Sequence, residues 1–206
     1  TAHSMVYQQA QEGAARPCIC SGFRGGVSSS RVSYAFGLRG PCFGVDTACS
    51  SSLVCFGQAH RAIGGQLQGQ LAPTQSTPMK KALIMGICML DGISTYIAYC
   101  AATMLSVGGR SFTFDEGANG FCRGEGCAAC FVKMGDGEED AQLMRACAIG
   151  ANVNQDGRSA SMTAPNGPSQ QACIRNSMSE SGLKPSNITI AECHGTGTAL
   201  GDPIEV

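Results

Sequence analysis

A cysteine set among small residues and a histidine set among glycines and threonines are the two groups in this sequence whose surroundings suit covalent chemistry. Cys49 lies in Asp-Thr-Ala-Cys-Ser-Ser-Ser-Leu, residues 46–53. Residues 43–48 read as a short strand or strand end, and residues 49–63 as a helix opened by Ser50, Ser51 and Ser52. A thiol at the first turn of a helix feels the partial positive end of that helix, which favours thiolate over thiol. Ala48, Ser50 and Ser51 leave room for a substrate carbonyl and let backbone N–H groups point at a developing oxyanion. That setting fits acyl transfer. Because the chain holds 13 cysteines, a structural role for this one stays open on context alone.

His194 stands at the end of an apolar run, at the head of His-Gly-Thr-Gly-Thr, residues 194–198. A histidine there faces whatever lies beyond the strand end. Gly195 and Gly197 permit close approach of a ligand, and the hydroxyls of Thr196 and Thr198 can hydrogen-bond an amide-bearing arm. The other two histidines fit chemistry less well. His60 falls late in the helix that follows Cys49, and His3 lies in an end expected to fray.

Other arrangements imitate sites without completing them. Cys122, Cys127 and Cys130 have metal-like spacing, but no histidine is near and the segment reads as a strand, so no metal is expected. Asn152, Asn154, Asp156 and Gly157 copy the start of a calcium loop, yet Thr163 stands where a bidentate glutamate is required. Gly195, Gly197 and Gly201 miss dinucleotide spacing by one residue. Asn187-Ile188-Thr189 has the form of a glycosylation acceptor, which matters only in a secreted chain.

The elements that must position Cys49 and His194 follow from the punctuation. With 28 glycines and 8 prolines dividing short apolar runs from helix-like ones, an α/β arrangement is expected rather than a helix bundle. Strands are predicted over 81–89, 127–134, 142–150 and 188–193, a helix over 169–182 ending at a glycine, and an exposed loop over 64–78. At 206 residues, 43% apolar and 14% charged, the chain can bury one sizeable core. Its 14 basic and 15 acidic residues create no field for a nucleic-acid backbone. No apolar run approaches the roughly 20 residues of a spanning helix, and no secretory signal is visible at residues 1–17. A soluble protein with reduced thiols, cytoplasmic or organellar, is expected, with no nucleic-acid or membrane partner.

Residues 46–53 and 194–205 together resemble the β-ketoacyl synthase (ketosynthase) domains of modular, type I polyketide synthases. Residues 30–41, 104–126 and 152–170 are also similar to that family, in the family's order, so the resemblance covers roughly residues 21–206. It implies a thiolase-like fold of layered αβαβα architecture, truncated here at both ends. Residues 1–140 would belong to the N-terminal half, and residues 141–206 would open the C-terminal half.

The resemblance also implies chemistry. Cys49 would accept an acyl chain as a thioester. His194 would help a carrier-bound malonyl-type extender lose carbon dioxide, and the resulting enolate would attack that thioester. Thr196 and Thr198 match positions that contact the phosphopantetheine arm of an acyl carrier protein, and Glu205 matches an acidic residue that supports the histidine. No cofactor would be bound directly, and the parent would be a homodimer. The family's second catalytic histidine and its lysine would fall beyond residue 206, leaving this piece short of full condensing activity. Two rival readings keep the same residues. One is a thiolase-like or cysteine-hydrolase acyl-enzyme, and the other is a non-catalytic ketosynthase-like interaction domain.

Overall fold

The computed structural model describes residues 25–64, 79–90, 92–135, 142–161 and 163–206. The expected loop over 64–78 lies outside these except for Gly64, as do His3, Cys18 and Cys20. The described elements are α1 (Gly25–Phe36), α2 (Ser51–Ile63), β1 (Lys81–Cys88), α3 (Ile93–Ala101), β2 (Gly126–Lys133), α4 (Gly167–Ser181), a 3-10 turn (Pro185–Asn187) and α5 (Gly201–Glu205).

Strands β1 and β2 fall where the sequence places them and pair antiparallel, in register from Lys81 opposite Lys133 to Cys88 opposite Gly126. Helix α2 packs on β1, and Gly86 is what permits the close approach: a side chain there would collide with Ser52 in the first turn of α2. Along the same helix Gly57 meets Val153 and Ala151, so α2 lies between the sheet and the segment that precedes α4. Ala59 and Ile84 are the buried hydrophobic residues of the described part, whereas Tyr34 is 91% and Ile190 79% exposed. No described helix is long and apolar enough to cross a membrane.

Helix α4 closes at the expected glycine and starts two residues earlier than expected, at Gly167. The Asn166 side chain accepts from Ser169 N–H, Pro168 occupies the first turn, and Gly182 closes the helix at φ +70°. The residues that imitate a calcium loop serve this helix. Asn166 Nδ2 and Ser169 Oγ both donate to Asp156 O, and Asn154 Nδ2 donates to Ser169 O at 2.7 Å.

Several elements differ from the sequence pattern. Helix α2 begins at Ser51, so Cys49 precedes it and Ser50 is the N-cap. Ala48, just before Cys49, has φ +57°, outside the right-handed helical region. The runs 142–150 and 188–193 form no strand, because extended backbone becomes a strand only beside a partner and no described segment pairs with either. Helices α1 and α3 carry no clear helical pattern. The sequence of α3, ISTYIAYCA, is rich in residues that favour strands. Tertiary contacts hold it as a helix: Tyr99 meets Phe121 edge to face at 5.8 Å, and the Arg123 guanidinium lies 5.2 Å from both the Tyr96 and Tyr99 rings.

Candidate active site

The turn that presents Cys49 is built from its immediate neighbours. Ser50 Oγ donates to Thr47 O at 2.9 Å, Ser51 Oγ donates to Ala48 O at 2.6 Å, and Thr47 N–H donates to Ser51 Oγ at 2.8 Å. Asp46 adds a fourth tie, its carboxylate accepting the Ala48 N–H at 3.1 Å. These bonds over-determine a left-handed Ala48, a backbone state that costs about 1–3 kcal/mol when unsupported. The outcome is a sharp turn into α2 with the Cys49 side chain exposed.

His194, also exposed, begins a second knot made from the loop 194–198 and helix α5. The Glu205 carboxylate bridges two successive backbone donors, with Oε1 accepting His194 N–H and Oε2 accepting Gly195 N–H at 2.8 Å. Glu205 therefore orders the backbone that carries the histidine, and no hydrogen bond joins it to the imidazole. Thr196 and Thr198 hydroxyls lie 3.1 Å apart, and Thr198 Oγ1 also accepts the Gly201 N–H at the start of α5.

Asp202 is the residue sequence reasoning missed. Only 3% exposed, it accepts Gly197 N–H at 3.1 Å and Thr198 N–H at 3.4 Å on one oxygen, and Phe114 N–H at 2.8 Å on the other. A carboxylate four residues after Thr198, at the head of a short helix, is the signal that marks such a backbone acceptor. It joins the histidine loop to the loop 112–120. Further ties run from Thr113 Oγ1 to Gly195 O at 2.5 Å and from Gly120 N–H to Gly197 O at 2.9 Å. Gly197 is buried at φ +75°, and a Cβ there would stand 2.7 Å from the Phe112 backbone nitrogen. Beside this knot opens a cleft of about 410 Å³, with Phe114, Asp115, Thr198 and Pro203 in its wall.

The structure thus brings His194, Thr196, Thr198 and Glu205 into one knot and builds Cys49 into another. Among the described residues no hydrogen bond joins Cys49 to that second knot. What the arrangement offers chemically is an exposed thiol on a rigid turn and an exposed imidazole on a rigid loop. No group of three His, Cys, Asp or Glu side chains able to hold a metal occurs among the described residues.

Similarity to known proteins extends along nearly the whole chain. Residues 1–136 match the family Beta-ketoacyl synthase, N-terminal domain, and residues 145–206 match Beta-ketoacyl synthase, C-terminal domain. The chain is 39% identical over 186 residues to the pikromycin polyketide synthase component PikAII of Streptomyces venezuelae, covering 90% of this chain and 5% of that protein. It is 40% identical over 186 residues to the polyketide synthase GfsB of Streptomyces halstedii, covering 90% of this chain and 3% of that one. Among solved structures, the ketosynthase from module 6 of the bacillaene synthase of Bacillus subtilis 168 superimposes with a TM-score of 0.76 at 36% identity, covering 90% of this chain and 32% of that chain. The chain accordingly spans about a third of that ketosynthase and a small fraction of the polyketide synthases it matches. The α/β architecture is the thiolase-like fold of these ketosynthases, and the chain belongs to the β-ketoacyl synthase family.

Proposed function

We propose that this chain is the nucleophile-bearing part of a polyketide synthase ketosynthase domain and that Cys49 is its acyl-carrying residue. The observation that carries the reading is the turn at residues 46–51, which holds the thiol exposed on a rigid backbone at the entrance to α2. In the first step the Cys49 sulfur attacks the carbonyl carbon of an acyl thioester, and the donor thiol leaves. In the second, a malonyl-type extender on the phosphopantetheine arm of an acyl carrier protein loses carbon dioxide. The enolate carbon attacks the Cys49 thioester, the C–S bond breaks, and a β-ketoacyl chain remains on the carrier.

His194 stabilises the enolate oxygen by hydrogen bonding, with Glu205 fixing its backbone. Thr196 and Thr198 hold the arm. Residues 1–140 belong to the N-terminal half and residues 141–206 open the C-terminal one. The exposed apolar side chains, Tyr34 and Ile190 among them, are covered in the parent by the rest of the domain and by a second copy.

The test is mass spectrometry of the parent protein after incubation with an acyl thioester and then with malonyl carrier protein. The expected record is an acyl mass on the Cys49 peptide, its discharge only when extender is added, and no label in Cys49→Ala. Discharge to water or coenzyme A at the same rate would replace this reading with the hydrolase or thiolase-like one.

A further inference from the structure

Away from both knots, His60 of α2 faces Glu180 of α4. Nδ1 and Oε1 lie 3.6 Å apart, the side chains are 23% and 19% exposed, and both atoms are shut off from solvent with no hydrogen-bond partner of their own. Each therefore depends on the other for electrostatic compensation. The second carboxylate oxygen of Glu180 accepts Ala151 N–H at 3.4 Å. Ala151 belongs to the segment squeezed between the two helices. On one side Gly57 of α2 meets Val153, and on the other Gly150 comes so close to α4 that a Cβ would stand 2.8 Å from Ser177 O.

The position of the pair gives it leverage. His60 sits near the C-terminal end of α2, about 14 Å along the helix from its first residue. Cys49 precedes the other end. Glu180 sits two residues before Gly182, where α4 ends and the chain departs toward His194. The contact thus ties the helix that follows Cys49 to the helix that launches the histidine segment. Sliding α2 against α4 would part the two facing atoms and leave each enclosed without a polar neighbour, so the contact favours one register.

We propose that His60 and Glu180 are a positioning pair that sets the placement of Cys49 relative to His194. The proposal rests on the condensing-enzyme reading and adds to it residues that touch neither substrate nor reacting atoms. Acyl loading needs only Cys49 and its local turn. Condensation needs Cys49 and His194 at a shared substrate, so the two steps separate positioning from general stability.

The experiment uses the full-length parent carrying His60→Gln, Glu180→Gln, the double substitution, and the exchange His60→Glu with Glu180→His. Loading is followed with an acetyl thioester by intact mass, and condensation by product formed from malonyl carrier protein. Expected are loading rates within ~2-fold of the unaltered protein and condensation slower by ~10-fold in each single variant, since small misplacements cost this much or more. The double substitution should be no worse than either single one, and the exchange should recover most of the loss. Loading and condensation falling together, no change in either, or no recovery on exchange would each overturn the proposal. Loss of fold by circular dichroism would overturn it too, by making the pair a folding device. An unaltered parent that loads but never condenses would instead sink the condensing reading itself.

Discussion

The carboxylate of Asp202 accepts the backbone N–H of Phe114 at 2.8 Å, across 88 residues of sequence. Phe114 has φ +56°, a strained value for an aromatic residue, and Asp202 is the acceptor that meets its N–H. Since the other oxygen of Asp202 serves Gly197 and Thr198, one buried side chain sets the spacing between the loop 112–120 and the loop that begins at His194.

Replacing Asp202 by Asn leaves one carbonyl oxygen for three N–H groups and turns an NH₂ toward at least one of them. An unsatisfied buried donor costs about 1–3 kcal/mol. Asp202→Asn in the parent domain is therefore expected to lower the unfolding free energy obtained from urea titration by about 1–3 kcal/mol, with a lower midpoint, and to slow condensation more than loading. An unchanged midpoint would show that the carboxylate is dispensable.

Gly197 is tested by adding a single carbon. Ala at φ +75° is strained, and its Cβ would stand 2.7 Å from backbone that cannot swing aside. Gly197→Ala is expected to destabilise by about 2–4 kcal/mol, combining the left-handed penalty with displacement of the loop 112–120. A thermal melt within a degree or two of the unaltered protein would contradict this close packing of Gly197 on Phe112.

Glu205→Gln keeps the size of the side chain but exchanges one of two acceptor oxygens for a donor, facing either His194 N–H or Gly195 N–H. The loop backbone then loses one of its two anchors. Condensation should fall by about 10-fold or more, the cost of a lost hydrogen bond to a charged group, while acyl loading at Cys49 persists. Parallel loss of both steps would place the role of Glu205 in folding.

Cys42 supplies a pH-dependent prediction. The hydroxyl of Ser29, then those of Ser33 and Ser30, hydrogen-bond its sulfur and hold the thiol below its ordinary range, against a small opposing effect of burial. A depressed folded-state pKa stabilises the fold above the ordinary thiol pKa, and that contribution is lost as pH falls through the folded value. In the folded protein, alkylation of Cys42 by iodoacetamide should consequently rise at lower pH than that of cysteines in unstructured model peptides. The substitutions Ser29→Ala and Ser33→Ala together should move its profile back toward theirs. Coincident profiles in the unaltered protein would be evidence against the serine contacts.

Elements whose information is local can be read directly along the chain. Strands β1 and β2 are legible from apolar runs bounded by polar residues, α4 from its pattern and closing glycine, and the family from short motifs in a fixed order. Helix α2 is legible except at its start, which falls at Ser51 so that Cys49 precedes the first turn. Other features exist only through packing: that α3 is a helix, that residues 188–193 lack a strand partner among the described segments, that Glu205 binds loop backbone, and that Asp202 and the His60–Glu180 pair hold distant segments together. Periodicity and capping act over a few residues along the chain. The burial of a carboxylate, or the mutual dependence of an imidazole and a carboxylate, comes into being only when segments far apart in sequence exclude water between them.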